Sequence, residues 1–179
     1  MARGKALTEE FFDRPTLEVT RDLLGKLLCR QLDEGVRRLR VAEVEAYDGP
    51  QDMACHAHRG RTPRNEVMFG PAGKWYVYLC YGMHWMLNAV TGPTDFPAAV
   101  LLRGCLEVTG PGRLTKELGI DGRQDSGDIT RATGLWMEDD GLVVMDGEVE
   151  RTPRIGIGYA GADWVDKPYR LVWETEKNS

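Results

Sequence analysis

The sequence lacks any long apolar run. Its longest weakly charged stretch, Trp75 to Val90, contains the polar residues His84 and Asn88, and it is shorter than the ~20 residues that a membrane-spanning helix needs. The first residues, MARGKALTEEFF, also lack the apolar core of a secretory signal. We therefore expect an intracellular protein that has no membrane partner.

The sequence also lacks paired cysteines and the usual cofactor motifs. Its four cysteines are widely spaced and form no CxxC pair, which favours buried free thiols over disulfides or zinc; they are Cys29, Cys55, Cys80 and Cys105. His56 and His58 stand in the run CHAH, but no cysteine or carboxylate spacing completes a metal site. No GxGxxG motif after a strand, no P-loop, no GxSxG elbow and no HExxH helix is found either. We expect neither a metal nor a cofactor.

A surplus of positive charge is missing as well. The formal net charge of -5 argues against a general nucleic-acid coat protein, because such proteins bind mostly by neutralising phosphates. The charge is unevenly distributed, since residues 138–179 carry ten acids against five bases, whereas residues 56–74 carry the single acid Glu66. The bases of this second segment are Arg59, Arg61, Arg64 and Lys74. One face could be basic, although the same residues could form only a solvated loop.

The pattern of apolar and turn residues predicts a mixed α/β (α+β) fold. The 179 residues, 42% hydrophobic and 28% charged, fit one domain that spans residues 1–179. We expect a single compact domain with a curved, mostly antiparallel sheet and short peripheral helices. Strands are predicted at 26–32, 36–47, 75–80, 84–91, 98–106, 134–137, 142–145, 154–157 and 169–173, and helices at 15–25, 62–68 and 110–119.

Glu45 is the main candidate for a catalytic carboxylate. It ends a predicted strand that runs into a Gly-Pro loop, and a crowded aromatic group follows: Trp75, Tyr76, Tyr78, Tyr81 and Trp85. Each signal is weak alone, because Glu45 or Glu43 could form a structural ion pair and the aromatic residues could be core. Together, a carboxylate, an aromatic slot, a basic loop and an aromatic hairpin are what an enzyme needs to take a base out of a duplex and hydrolyse its bond to the sugar.

Several motifs resemble those of one known family. The stretches EVEAYDGPQDMACHAHRGRTPRN, MFGPAGKWYVYLCYGMHWMLNAV, AAVLLRG, GPGRLTKELGI and RIGIGYAGADWVDKPYRL are together similar to the alkyladenine (3-methyladenine) DNA glycosylases, the mixed α/β group that includes the human enzyme. The resemblance implies a monofunctional enzyme that excises alkylated or deaminated purines with an activated water, without metal or covalent intermediate. It further implies a monomer that binds double-stranded DNA containing damaged purines, wherever the cell keeps its DNA.

The resemblance also implies roles for residues of the reaction centre. Glu45 matches the general base that deprotonates the attacking water, and Arg103 resembles the arginine that holds the water and the sugar-phosphate. Tyr47 and Tyr78 match the aromatic residues that sandwich the flipped purine, and His56 matches a histidine at the edge of the base.

Further residues are implied to discriminate bases and to hold DNA. Asn88 corresponds to the asparagine that crowds the amino group of normal guanine. Tyr81 resembles the residue inserted into the duplex, with Met83 beside it in the minor groove. The candidate DNA-binding cations are the four bases of residues 56–74, namely Arg59, Arg61, Arg64 and Lys74.

Two other functions are compatible with the same residues. A non-catalytic module that binds DNA lesions would keep the fold and the aromatic hairpin, but it would not need a carboxylate at Glu45. A hydrolase of free nucleosides would use the same base and the same stacking aromatic residues, but it would need neither Tyr81 nor the arginine-rich loop.

Overall fold

The computed structural model describes residues 4–175 of the chain. Nine strands lie in this range: β1 (Lys5–Ala6), β2 (Leu27–Leu32), β3 (Gly35–Asp48), β4 (Trp75–Cys80), β5 (His84–Val90), β6 (Ala98–Cys105), β7 (Leu135–Asp139), β8 (Val149–Thr152) and β9 (Arg170–Trp173). The α-helices in the same range are α1 (Glu9–Phe12), α2 (Thr16–Leu23), α3 (Pro111–Glu117) and α4 (Ala162–Val165). They are short, as the sequence predicts.

The strands form one sheet in the order β1-β7-β2-β3-β6-β5-β4, with β9 also paired to β3 and β8 paired to β9. Every pairing among these nine strands is antiparallel. The fold class predicted from the sequence is therefore confirmed. Strand β3 is the centre of the sheet, because its first part pairs with β2 and its second part pairs with β6 and β9.

An irregularity in β3 decides which side chains face the functional side of the sheet. Side chains of a regular strand alternate between its faces, yet Val41 and Val44 both lie in the main core. The pairing of β3 with β6 shifts on either side of Glu43, and such a bulge changes the phase of the alternation. As a result, Glu43 and Glu45 point away from the core on which Val41 packs.

Helices α2 and α3 cover the core face of this sheet. Helix α2 packs against β3 and β6, while α3 packs against β5 and β6. Helix α2 begins directly after Pro15 and buries Val19 and Leu23, which are four residues apart on one helical face. Helix α3 begins with Pro111 and buries Leu114. Neither of them, nor any other helix in residues 4–175, is long and apolar enough to cross a membrane.

Two strands predicted from the sequence are wrong. At residues 142–145, Val144 packs in the core while Val143 and Met145 are exposed, but the segment lies in no strand. Its Val144 carbonyl instead accepts a hydrogen bond from the guanidinium of Arg21. At residues 154–157, a turn takes the place of the second predicted strand, and Gly156 adopts a φ of 76° there. Residues 142–145 are all apolar and residues 154–157 alternate, but neither segment pairs with a neighbouring strand.

The remaining predictions differ from the structure mostly at the ends of elements. The helix predicted at residues 62–68 is a turn followed by a 3₁₀ helix, Glu66–Phe69. Strands β1 and β8 and helices α1 and α4 were not predicted, and each has four residues or fewer. The cysteines are free, as predicted, and all but Cys80 are buried.

Candidate active site

Four strands place one residue each in a row across the sheet. Glu45 of β3 pairs with Leu101 of β6, Leu101 with Asn88 of β5, and Asn88 with Tyr76 of β4. Leu101, Asn88 and Tyr76 line a cavity of about 730 Å³. Glu45 lies at the β3 end of the row, where the residues that hold its carboxylate also line this cavity.

The carboxylate of Glu45 is fully buried and held from three sides. The backbone N–H of Ile155 donates to Oε1 at 2.7 Å. The hydroxyl of Tyr47 donates to Oε2 at 2.9 Å, and Nη1 of Arg103 lies 3.6 Å from the same oxygen. A carboxylate held by this many fixed donors has little freedom to rotate, so both oxygens keep defined directions.

A second carboxylate positions Arg103. Nε of Arg103 donates to Oε1 of Glu43 at 3.0 Å, and Nε of Arg170 donates to the same oxygen at 2.7 Å. Arg170 is fixed in turn by Thr152 of β8, whose hydroxyl accepts from it at 2.9 Å. Glu43 therefore joins β3, β6 and β9 and leaves one face of the Arg103 guanidinium directed at Glu45.

Burial and hydrogen bonding have opposite effects on Glu45. Burial raises the pKa of its carboxyl above the ordinary value and outweighs the opposing contributions of Arg103, the Ile155 N–H and the Tyr47 hydroxyl. The negative charge of Glu43 raises the pKa further. A raised pKa gives the carboxylate a higher proton affinity, which is what a general base requires. Burial also raises the pKa of Tyr47 well above its usual range, so its hydroxyl stays a donor.

Aromatic side chains form the opposite wall of the cavity. The rings of Tyr76 and Tyr78 lie 5.2 Å apart, and the ring of His56 lies 4.6 Å from that of Tyr78. Nδ1 of His56 is 2.9 Å from the hydroxyl of Tyr76. Although His56 is exposed where it opens onto the cavity, the protein packed around it and the charge of Arg64 lower its pKa to about 4. His56 is thus neutral at physiological pH.

Asn88 lies at the floor of the cavity and also has a structural contact. Its side chain is buried, and its Nδ2 donates to the backbone carbonyl of Tyr76 at 3.1 Å. This contact fixes the plane of the amide against β4. The position is compatible both with contact to a bound base and with a role in satisfying the backbone.

The hairpin between β4 and β5 carries two exposed side chains at its tip. Tyr81 is 86% exposed and Met83 is 71% exposed. Tyr81 has a φ of 50° and Gly82 a φ of 66°, so the tip is a tight turn that closes with a hydrogen bond from Met83 N to Cys80 O. A non-glycine residue with positive φ is strained. Tyr81 lines the mouth of the cavity.

A profile of the methylpurine-DNA glycosylase family matches residues 10–109 and 106–177 of the chain. The chain belongs to this family. A protein of Psychrobacter cryohalolentis is 43% identical over 91% of this chain and 89% of its own length. One from Anaeromyxobacter dehalogenans (strain 2CP-1) is 47% identical over 93% and 81%, and one from Methanocella arvoryzae is 42% identical over 97% and 93%. All three are provisionally named 3-methyladenine DNA glycosylases. The resemblance found in the sequence is confirmed, and it supports a DNA glycosylase of DNA repair.

The structure brings most of the residues expected for a methylpurine-DNA glycosylase to one cavity. Tyr47, His56, Tyr78, Asn88 and Arg103 all line it, together with Tyr81, Arg59 and Arg64. Arg61 and Lys74 do not. Arg61 is paired with Glu66 and Asp95 and stacks on Phe69, and Lys74 is paired with Asp128. In these two residues much of the positive charge is already compensated within the protein.

Sequence reasoning missed the turn that holds Glu45. Arg154 is fully buried and pairs with Asp52 through two hydrogen bonds of 2.5 and 2.9 Å. Its guanidinium also stacks on the ring of Tyr47, 4.9 Å from the centroid. This ion pair fixes the chain just before Ile155, whose N–H binds Glu45. In the sequence this turn lies within the stretch RIGIGYAGADWVDKPYRL, whose first residues, 154–157, predict a strand instead.

A further aromatic residue at the cavity mouth was also missed. Tyr159 is 67% exposed, and its hydroxyl donates to the carbonyl of Ala54 at 3.1 Å. Other exposed apolar side chains line the same cavity, namely Met53, Leu79 and Ile155. Within residues 4–175, no group of three or more His, Cys, Asp or Glu side chains is arranged to hold a metal ion.

Proposed function

We propose that the protein excises damaged purines from double-stranded DNA by hydrolysing the bond between base and sugar, which leaves an abasic site. The proposal rests above all on Glu45, a buried carboxylate that is held by Ile155, Tyr47 and Arg103 beside an aromatic cavity. Its substrates are purines of the 3-methyladenine, 7-methylguanine, hypoxanthine and ethenoadenine class. The enzyme acts as a monomer, as one domain over residues 1–179, wherever the cell keeps its DNA.

In the reaction, Glu45 accepts a proton from water while the water oxygen forms a bond to the anomeric carbon of the sugar. The bond from that carbon to the purine nitrogen breaks at the same time, and its electron pair leaves with the base. A purine alkylated at N3 or N7 is cationic, so it leaves as a neutral molecule. Neutral hypoxanthine must take up a proton to leave as a neutral base, and its excision should therefore depend more strongly on pH.

The cavity would hold a base that has been turned out of the duplex. Tyr47 and Tyr78 provide aromatic surfaces for stacking, and His56 and Asn88 provide polar groups at the base edge. Turning a base out costs a few kcal/mol, and the cost is lowest for damaged or mispaired bases. Tyr81 would occupy the space that the base leaves in the stack, because it is the exposed aromatic residue at the hairpin tip.

Single-turnover excision assays test this proposal. Duplexes that carry one hypoxanthine, ethenoadenine or 7-methylguanine are incubated with the protein, and abasic sites are then cleaved with alkali. Glu45→Gln should lose about 100- to 10,000-fold in rate, since this is what a positioned base contributes. Excision by Glu45→Gln at nearly the parent rate would show that Glu45 is not the base.

The fold of the variant provides the control. The raised pKa of Glu45 means that folding disfavours its ionised form. The free energy of unfolding therefore falls as the pH rises through the pKa of Glu45 in the folded protein. Glu45→Gln should therefore melt at the same temperature as the parent or higher at pH 8. A large fall in melting temperature would mean that the loss of excision reflects unfolding.

The same assay distinguishes the two alternative functions. A lesion-binding module would retain affinity for the damaged duplexes but release no base from any of them. A nucleoside hydrolase would release the base from free inosine and would act no faster on DNA. We expect cleavage of the duplex and no measurable release from the free nucleoside.

A further inference from the structure

Arg64 is exposed to solvent and also lines the cavity. Its guanidinium carbon is 5.0 Å from the centroid of the Tyr78 ring, and the residue lines the cavity with Tyr76 and His56. The distance is that of a cation–π contact. The ring that is expected to stack on the purine therefore already has a positive charge against it.

The turn that carries Arg64 is firmly built. The adjacent Asn65 is buried, and its Oδ1 accepts from the backbone N–H of Thr62 at 2.7 Å. Its Nδ2 donates to the carbonyls of Gly60 and His56 at 3.0 and 3.3 Å. These contacts fix the backbone on both sides of the turn, so the Arg64 side chain starts from a defined position beside the base-binding wall.

The charge of Arg64 is available to a ligand. Arg61, three residues earlier, is paired with Glu66 and Asp95, whereas Arg64 has no carboxylate partner among residues 4–175. Burial is the main cause of the lowered pKa of His56, and the charge of Arg64 lowers it further. Burial raises the pKa of Tyr76, and the charge of Arg64 opposes that rise. With His56 neutral, Arg64 provides positive charge at the aromatic wall itself.

We infer that Arg64 determines specificity, because its positive charge at the Tyr78 ring disfavours cationic alkylated purines relative to neutral purines such as hypoxanthine. The inference rests on the proposed function. A cationic base gains from an electron-rich ring, but that gain is reduced when a guanidinium already contacts the ring, and the two positive charges repel each other. A neutral base with a carbonyl group meets no repulsion and can accept a hydrogen bond from the guanidinium, which only donates.

The expected effect is moderate because Arg64 is exposed to solvent, which screens its charge. Two unit charges about 7 Å apart at an effective dielectric between 20 and 80 change a binding constant by a factor of roughly 3 to 50. Because exposure favours the low end of this range, we expect removal of the charge to shift the ratio of 7-methylguanine to hypoxanthine excision by about three- to tenfold toward 7-methylguanine.

The test compares kcat/KM for the two bases in the same duplex sequence. Arg64→Gln removes the charge and should raise the ratio of 7-methylguanine to hypoxanthine excision, whereas Arg64→Lys keeps the charge and should leave the ratio near the parent value. Arg61→Gln is the matched control from the same loop. Any loss of DNA affinity in that variant should lower both activities alike and leave their ratio unchanged.

Three outcomes would overturn the inference. If Arg64 only contacts a phosphate, Arg64→Gln should lower both activities equally and reduce the slope of log affinity against log salt by about 1. If Arg64 only stabilises the fold through Tyr78, the melting temperature should fall and the ratio should stay constant. If Arg64→Lys shifts the ratio as much as Arg64→Gln, the charge is not the cause. A parent protein that excises neither base would instead refute the proposed function.

Discussion

Replacing Tyr81 with asparagine should make the protein more stable and less able to retain a flipped base. Tyr81 and Gly82 both have positive φ, at 50° and 66°, in a turn that favours Asn-Gly. A side chain such as tyrosine costs about 1–2 kcal/mol in this conformation, and at 86% exposure Tyr81 gains little from burial in return. The strain therefore has no compensation within the free protein, which is typical of residues retained for function.

The gain in stability can be estimated from this strain. Asn tolerates the left-handed conformation, so Tyr81→Asn should raise the free energy of unfolding by about 1 kcal/mol, or about 2–4 °C in melting temperature for a protein of this size. Tyr81→Gly should gain less, because glycine loses about 0.5–1 kcal/mol more entropy on folding. Tyr81→Phe keeps both the strain and the ring, so neither stability nor base retention should change much.

Function is measured with the same three variants. Binding to a duplex with one hypoxanthine, and the rate of single-turnover excision, should fall for Tyr81→Asn and Tyr81→Gly and persist for Tyr81→Phe. A less stable Tyr81→Asn would refute the argument from strain. Unchanged binding and excision in that variant would refute the role of the ring, and equal losses in Tyr81→Phe would point to the hydroxyl.

Three further predictions follow from the buried groups. Glu45 must be ionised to act as a base, and its pKa is raised, so kcat/KM should rise with pH and level off above that pKa. Glu43→Gln should move this rise to lower pH, because the negative charge of Glu43 raises the pKa of Glu45. Asn88→Ser should admit normal guanine and broaden excision, while hypoxanthine activity falls only modestly. Asp52→Ala should cost about 3–5 kcal/mol of stability, because it leaves Arg154 buried without its partner.

Each of these predictions has its own contrary result. A pH profile that does not move in Glu43→Gln would mean that the rise belongs to another group. If Asn88→Ser lowers the melting temperature and still refuses guanine in a mispair, the contact of Asn88 with the Tyr76 carbonyl is its main role. For Asp52, the exposed pair of Arg14 and Asp22 is the control, since Asp22→Ala should cost at most about 1 kcal/mol.

The sequence predicts the sheet but not the direction of its key side chains. Long strands with apolar and turn residues at regular positions, such as β3 and β4, are found close to where the pattern places them. The alternation of Val41, Glu43 and Glu45 predicts that all three share one face. The bulge at Glu43 separates them, so Val41 enters the core while Glu45 faces the cavity side. A bulge depends on the pairing with β6, which the sequence of β3 does not contain.

The sequence predicts the site residues that contribute side chains, but not those that contribute backbone groups. Tyr47, Tyr78 and Arg103 are found at the cavity as the motifs predict. Ile155 contributes a backbone N–H, and a backbone group leaves no trace in residue type. The charge count of residues 56–74 also did not show that Arg61 is paired. Its partner Asp95 lies 34 residues away in the chain, outside the segment that was counted.

The Glu45 end and the Arg64 end of the cavity differ in net charge, which has a consequence for the proposed reaction. Glu45 lies on β3 and Tyr78 on β4, with β6 and β5 between these two strands. Arg64 contacts the Tyr78 ring from a turn that precedes β4 in the chain. At the Glu45 end, the carboxylates of Glu45 and Glu43 face two guanidinium groups, those of Arg103 and Arg170. This end is therefore close to neutral when Glu45 is ionised. Positive charge that develops on the sugar beside Glu45 would be stabilised by that carboxylate. Positive charge on the base beside Arg64 would not, so catalysis and base selection depend on separate groups that can be altered independently.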